Sequence, residues 1–243
     1  MTKYQEHYNN SKATERKKAL WTSENMKKAA AAYTDMVKAV KAGNNLNVTI
    51  SYGNIKMGAI PSVSLLPGMT CPATCKETCG VDCYAWKIAL IRSNVMKSYA
   101  KNTAIATLQP DIYWTQVKAA AIGSRWFRFH VAGDIPTSDY FNRMIQLVKE
   151  LHNTTFLCFT KRYEIVNSWI EKNGSLPNNL KLLFSGWDGM KPVNPYNLPE
   201  TTVYKSEPSE SWLLCGGNCF ECSCRGCGCW KAEKGETIAF KLH

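Results

Sequence analysis

The chain has 243 residues, 45% of them hydrophobic and 11% aromatic, enough apolar side chain to bury one substantial core in a single domain. No apolar run reaches the roughly eighteen residues of a membrane span, and no apolar stretch follows the first ten residues, so the sequence predicts a protein without a span or signal peptide, working in the cytoplasm. Thirty Lys and Arg against nineteen Asp and Glu give a formal charge of +11, a field that attracts phosphate-rich or acidic partners.

Taken in chain order, 1–45 reads as a basic helical segment. Lys12, Arg16, Lys17, Lys18, Lys27, Lys28, Lys38 and Lys41 interleave with an apolar stripe of helical period from Ser11 to Gly43, where Gly43 supplies a stop. This charge is either a solvated helix face or a contact for nucleic acid; no recognisable base-reading module accompanies it. Leu46 to Tyr52 alternates and is rich in β-branched residues, as a strand would be.

A Gly/Pro/Ser-bearing loop then leads into the first of two cysteine groups, Cys71, Cys75, Cys79 and Cys83. Eleven cysteines without a secretion signal argue for metal rather than disulfides, because the cytosol keeps thiols reduced. Four thiolates on a four-residue beat suit an iron–sulfur cluster or zinc; Pro72 and Gly80 favour a wrapped loop, which lets ligands approach a cubane from several sides. Iron–sulfur, as a 4Fe-4S cluster, is the leading expectation and zinc the alternative. S-adenosylmethionine as a further cofactor needs an open iron. Its usual C-x3-C-x2-C spacing is absent, with Thr78 or Asp82 standing where the third cysteine would be.

Asp82 to Leu108 resumes helical composition and Pro110 punctuates it. Thereafter strands and helices alternate: strand Trp126–Val131, helix Ser138–Leu151, strand Thr155–Thr160, helix Tyr163–Lys172, strands Leu180–Phe184 and Thr202–Lys205. Cys158, alone in an apolar run, reads as a small core residue. Alternating strands and helices imply parallel pairing through right-handed crossovers. Six or seven strands, counting a last one at Thr237–Leu242, predict a partial or distorted (β/α) barrel over 46–243 with the helical segment packed on it.

Working residues of such folds gather at the carboxyl ends of strands. There the sequence places Arg128, His130 and Asp134, then Lys161 and Arg162, then Trp187 and Asp188, then Lys205. Alternation puts Arg128 and His130 on one face of their strand. His130 with Asp134 suits an acid–base pair or a ligand with its supporting carboxylate, and Asp134 also suits a helix N-cap. Arg128, Lys161 and Arg162 would hold a phosphate, a carboxylate or the negative charge of an all-thiolate cluster.

The second cysteine group, Cys215, Cys219, Cys222, Cys224, Cys227 and Cys229, exceeds what one four-ligand site needs. Gly216, Gly217, Gly226 and Gly228 permit a tight wrap with amide donors aimed at sulfur. Cys215, Cys219, Cys227 and Cys229 are the four taken as ligands of a second cluster; a zinc ribbon with two spare thiols is the plainer reading.

The segments Ser64 to Pro72, Asp82-Cys83-Tyr84-Ala85, Phe127 to Ile135, Phe159-Thr160-Lys161-Arg162 and Cys229-Trp230 with the terminal His243 resemble, in order, the phage gene-product-eighty-eight family. The resemblance covers roughly 50–243 and leaves out 1–45. It implies a phage or prophage origin, hence the host cytoplasm, and a cysteine-rich α/β barrel; the Asp-Cys-Tyr-Ala step is also similar to phage relatives of radical S-adenosylmethionine enzymes.

Together these readings predict an iron–sulfur protein on a radical-enzyme-like partial barrel. Electron transfer, or a cluster-dependent oxidoreductase reaction on an anionic small molecule near Arg128, His130, Asp134 and Lys161, is the expected activity. The alternative is a non-catalytic module that binds nucleic acid or a host protein and uses zinc or clusters to staple its loops.

Overall fold

The computed structural model of the chain describes residues 22–44, 46–54, 56–217, 219 and 228–242. Lys12, Arg16, Lys17, Lys18, Cys222, Cys224, Cys227 and His243 lie outside the described residues. Among those described there are six α-helices and eight strands in one sheet.

Helix α1 (Ser23–Lys41) starts where Thr22 accepts from the Asn25 amide and packs chiefly on α3. Two short strands follow, β1 (Ile50–Ser51) and β2 (Ser62–Val63), paired antiparallel. The first cysteine group comes next as two 3₁₀ turns, Ala73–Lys76 and Cys79–Asp82, ahead of α2 (Tyr84–Ile91) and α3 (Ser93–Leu108). Helix α4 (Pro110–Ala121) was not expected from the sequence: Pro110 opens it, since a first-turn residue needs no amide hydrogen.

From here the expected alternation is present. It runs through β3 (Trp126–Phe129), α5 (Ser138–Glu150), β4 (Thr155–Thr160), α6 (Tyr163–Asn173), β5 (Leu180–Ser185) and β6 (Glu200–Tyr204). The chain closes with β7 (Leu213–Leu214) and β8 (Thr237–Lys241). The sheet order is β1-β2-β3-β4-β5-β6-β8-β7, and every pair except β1–β2 is parallel. The sheet is open, with β1 at one edge and β7 at the other. Strands β2 and β7 escape a periodicity search because two residues carry no period.

Alternation along the strands divides the sheet into two unlike faces. Phe127, Phe129, Phe156, Cys158, Leu182 and Phe184 turn toward α4, α5 and α6 and form the main core with Trp114, Val117, Phe141, Met144, Val148 and Val166. Leu157, Leu183 and Ile238 turn the other way, where Cys229, Trp230 and Ala232 of the C-terminal segment cover them together with Met57 and Ile60. Trp230 lies against Trp126 with ring centroids 4.9 Å apart, so it is a packing residue. A third, smaller core joins α1, α2 and α3 through Ala29, Trp86, Ala89 and Ala100 around Leu66.

Candidate functional site

The carboxyl ends of β2, β3, β4 and β5 lie side by side, and the first cysteine group hangs from the first of them. Its loop is bolted to the loop after β3. Thr70 Oγ1 donates to the Leu66 carbonyl at 2.9 Å and accepts from the Asp134 amide at 3.0 Å. Gly133, at φ +80°, passes so close that a Cβ there would sit 2.7 Å from both the Leu65 carbonyl oxygen and Thr70 Oγ1; only glycine permits this approach.

Cys75 is buried, whereas Cys71, Cys79 and Cys83 are half-buried free thiols. The neighbouring thiols Cys71 and Cys79 raise the pKa of Cys75; Cys75 in turn, aided by the charge of Lys161, lowers that of Cys79 against the opposing effect of burial. Cys83 caps α2, its sulfur accepting from the Trp86 amide at 3.4 Å, while burial pushes its pKa up to about 11. Three thiols therefore lie near one another and near a lysine, a donor set whose soft chemistry suits a cluster or zinc. As they stand, no group of three or more His, Cys, Asp or Glu among the described residues is arranged to hold a metal ion.

Two cations face this loop. Lys161 Nζ donates to Ser185 Oγ at 2.6 Å. Arg128 lies over the Phe159 ring at 4.9 Å and directs Nη1 to Cys219 Sγ at 3.8 Å, while its buried Nε has no hydrogen-bond partner. Neither forms an ion pair among the described residues. Tyr84 stands between them: its surface is 59% open, but its hydroxyl end is crowded by Arg128, Cys83, Cys219 and Lys161 and donates to the Val131 carbonyl. Withdrawal of that hydroxyl from water raises its pKa.

Asp134 is the keystone rather than a helix cap. It accepts from Thr160 Oγ1 at 2.6 Å, from the Lys161 amide at 2.8 Å and from the Ile135 amide at 2.7 Å, so it ties the ends of β3 and β4 together. Burial raises its pKa against these bonds. The cap of α5 is Thr137, accepting from the Tyr140 amide at 3.1 Å. Arg162 donates to the Thr70 carbonyl at 3.1 Å and reaches Glu164 at 3.7 Å, which makes it a strut of the same corner.

His130 departs from the expectation that it shares a face with Arg128. Strand β3 ends at Phe129, and His130 takes the left-handed conformation, φ 52°, which swings its ring into the helix-side core. There it is 4% exposed, with Nε2 3.0 Å from the Tyr140 hydroxyl and Nδ1 3.8 Å from Cys158 Sγ. Burial pulls its pKa down to about 3; burial, and then the charge of Asp134, raise that of Cys158.

The described members of the second cysteine group sit together, Cys215 and Cys219 packing against the core that holds Cys229. Cys229 is buried in the core behind the sheet, the Cys215 amide donates to Ala239 at 2.9 Å, and the Cys219 amide donates to the Lys56 carbonyl at 2.8 Å. Of the described three, Cys219 is the one that meets Arg128 at the rim. Lys205 pairs with Asp188 at 3.3 Å on the exposed surface. Thr70 and Tyr84 lie in the family-like segments but carried no role in the sequence; the parallel stacking of strand ends brings them together with Ser185, the polar end of β5.

The chain matches the family described as Gene product 88 over residues 9–202 and belongs to it. The match reaches into the helical segment, correcting the expectation that the resemblance begins near residue 50, and it stops short of the second cysteine group, β7 and β8. No curated protein matches the chain, and no solved structure does. No helix among the described residues is long and apolar enough to cross a membrane.

Proposed function

For this member of the gene product 88 family we propose an iron–sulfur protein in which the first cysteine group holds a cluster and Arg128 with Lys161 recruits an anionic ligand beside it. The observation that carries the reading is the gathering of Cys71, Cys75 and Cys79 beside the carboxyl ends of parallel strands, close enough that Cys75, and then the charge of Lys161, lower the pKa of Cys79. Cys71, Cys75, Cys79 and Cys83 would hold the cluster, which would supply one-electron chemistry. Arg128 and Lys161 lower the cost of gathering negative charge there, whether it belongs to thiolates or to a bound phosphate or carboxylate.

The radical-enzyme-like character of the fold belongs to this reading. Its support is placement: the cysteine loop follows the first parallel strand, β2, and strands β2 to β6 follow one another in order. An open iron for S-adenosylmethionine requires that one of the four thiols be released. His130 is removed from the reacting set, because its ring points into the core. Asp134 and Arg162 become positioning residues for Lys161 and the cysteine loop.

The test is iron, zinc and acid-labile sulfide content, with a visible spectrum, on protein purified without oxygen. Brown protein with iron and sulfide in similar amounts is expected. Colourless protein containing zinc overturns the redox reading and leaves a stapled binding module.

A further inference from the structure

On the sheet face that carries Arg128, the edge strands and their flanks alternate hydroxyl with apolar side chains. Thr49 and Ser51 flank Ile50; Ser62 and Ser64 flank Val63. Ile50 and Val63 are paired in register and turn to the helix-side core, so the strand hydroxyls beside them turn the other way. There they line a cavity of about 130 Å3, closed by Tyr99 and Asn102 from α3. One water needs roughly 10–15 Å3 on the same measure, so the cavity has room for a small ring. No acidic or basic side chain lines it.

This cavity shares walls with the cationic corner. Ser62 is the register partner of Arg128 on the neighbouring strand, about 4.8 Å away in a sheet, and paired positions face the same side. Met57, another lining residue, follows Lys56, whose carbonyl holds the Cys219 amide. Val131 lines the cavity with its side and receives the Tyr84 hydroxyl on its carbonyl.

We propose that the cavity seats the sugar of a sugar phosphate whose phosphate meets Arg128; the phosphate half rests on the anion reading given above. A charged group placed among these neutral hydroxyls would lack a counter-ion, and a purely apolar one would strip their water without replacing it. A sugar ring offers adjacent hydroxyls that donate and accept, matching the Thr49, Ser51 and Ser62 rotors that do both, while Ser64 already accepts from the Ala132 amide and Ser98 donates to the Asn94 carbonyl. Free sugar phosphates and nucleotides carry the same chemistry.

The experiment is titration calorimetry of the full chain with inorganic phosphate, ribose 5-phosphate and adenosine 5′-monophosphate. Ribose 5-phosphate is expected to bind at least about tenfold more tightly than phosphate, and Ser62→Val and Ser98→Leu, the latter on the exposed side of the cavity, to erase that preference while leaving phosphate affinity alone. Equal affinity for phosphate and ribose 5-phosphate, no binding of either, or a preference untouched by both variants overturns the proposal. Arg128→Met separates the two readings: it should weaken phosphate and ribose 5-phosphate alike and preserve their ratio. If it leaves phosphate affinity unchanged while the sugar preference persists, the anion reading falls and the cavity stands. A tighter monophosphate assigns the sugar to a nucleotide, and a weaker or equal one to a free sugar phosphate; both keep the proposal.

Discussion

The two faces of the sheet are built from the same strands and do opposite work. Toward the helices, every second residue is a large apolar side chain, and even the polar groups that reach that side, His130 and Cys158, are buried and neutral. Toward the C-terminal segment the alternate positions hold Trp126, Arg128, Leu157 and Leu183, and the cover consists of Trp230 and cysteines rather than helices. A thin, irregular cover leaves polar residues near water, whereas a dense helical cover would have made burying a guanidinium such as that of Arg128 costly. Stability and chemistry are thereby separated by one residue along the strand.

The largest way to strain this contrast is Phe129→Ala. Phe129 is fully buried and stacks on Phe156 at 5.5 Å, so its truncation should cost about 3–5 kcal/mol in denaturant unfolding; a loss under about 1 kcal/mol would mean the helix-side face is not the principal core. Asp134→Ala comes next. It strands the Lys161 and Ile135 amides and the Thr160 hydroxyl, costs about 2–3 kcal/mol, and should lower anion affinity as well, because the carboxylate positions Lys161. Loss of stability with unchanged anion affinity would show that Lys161 does not serve the site.

His130 sharpens the contrast through pH. Its folded pKa, about 3, lies below the ordinary 6.5, so between those values the unfolded chain binds the extra proton and stability falls as pH falls. Relative to His130→Gln, the wild type should lose about 1.4 kcal/mol per pH unit across that window. A flat difference would place the imidazole in contact with water. Arg128→Met has the smallest effect on stability, under about 1 kcal/mol, the worth of a partly exposed guanidinium over the Phe159 ring; its expected effect is on anion binding, and a large stability loss would make Arg128 a structural residue.

Regions with sustained period were legible in the sequence. Helices α5 and α6 and strands β4 and β5 lie within a residue or so of their expected ends, because each is long enough for its apolar pattern to repeat and each is bounded by turn or capping residues. The cysteine groups, Arg128 within β3, the cations after β4 and the family were legible for a similar reason, as local spacing. What spacing misjudged was direction. His130 obeys the strand's alternation in sequence but follows a strand already ended, and one left-handed residue reverses its side chain.

By itself, then, the sequence determined an alternating α/β chain with thiols in two clusters and positive charge after successive strands, because these depend on residues near one another in the chain. Only the tertiary structure decided that the sheet stays open, that Cys219 of the second group meets Arg128, that Asp134 locks two strand ends together and that a hydroxyl-lined cavity adjoins the cationic corner. Those are contacts between segments as much as 91 residues apart, set by the order in which parallel strands lie side by side, and no local pattern encodes that order.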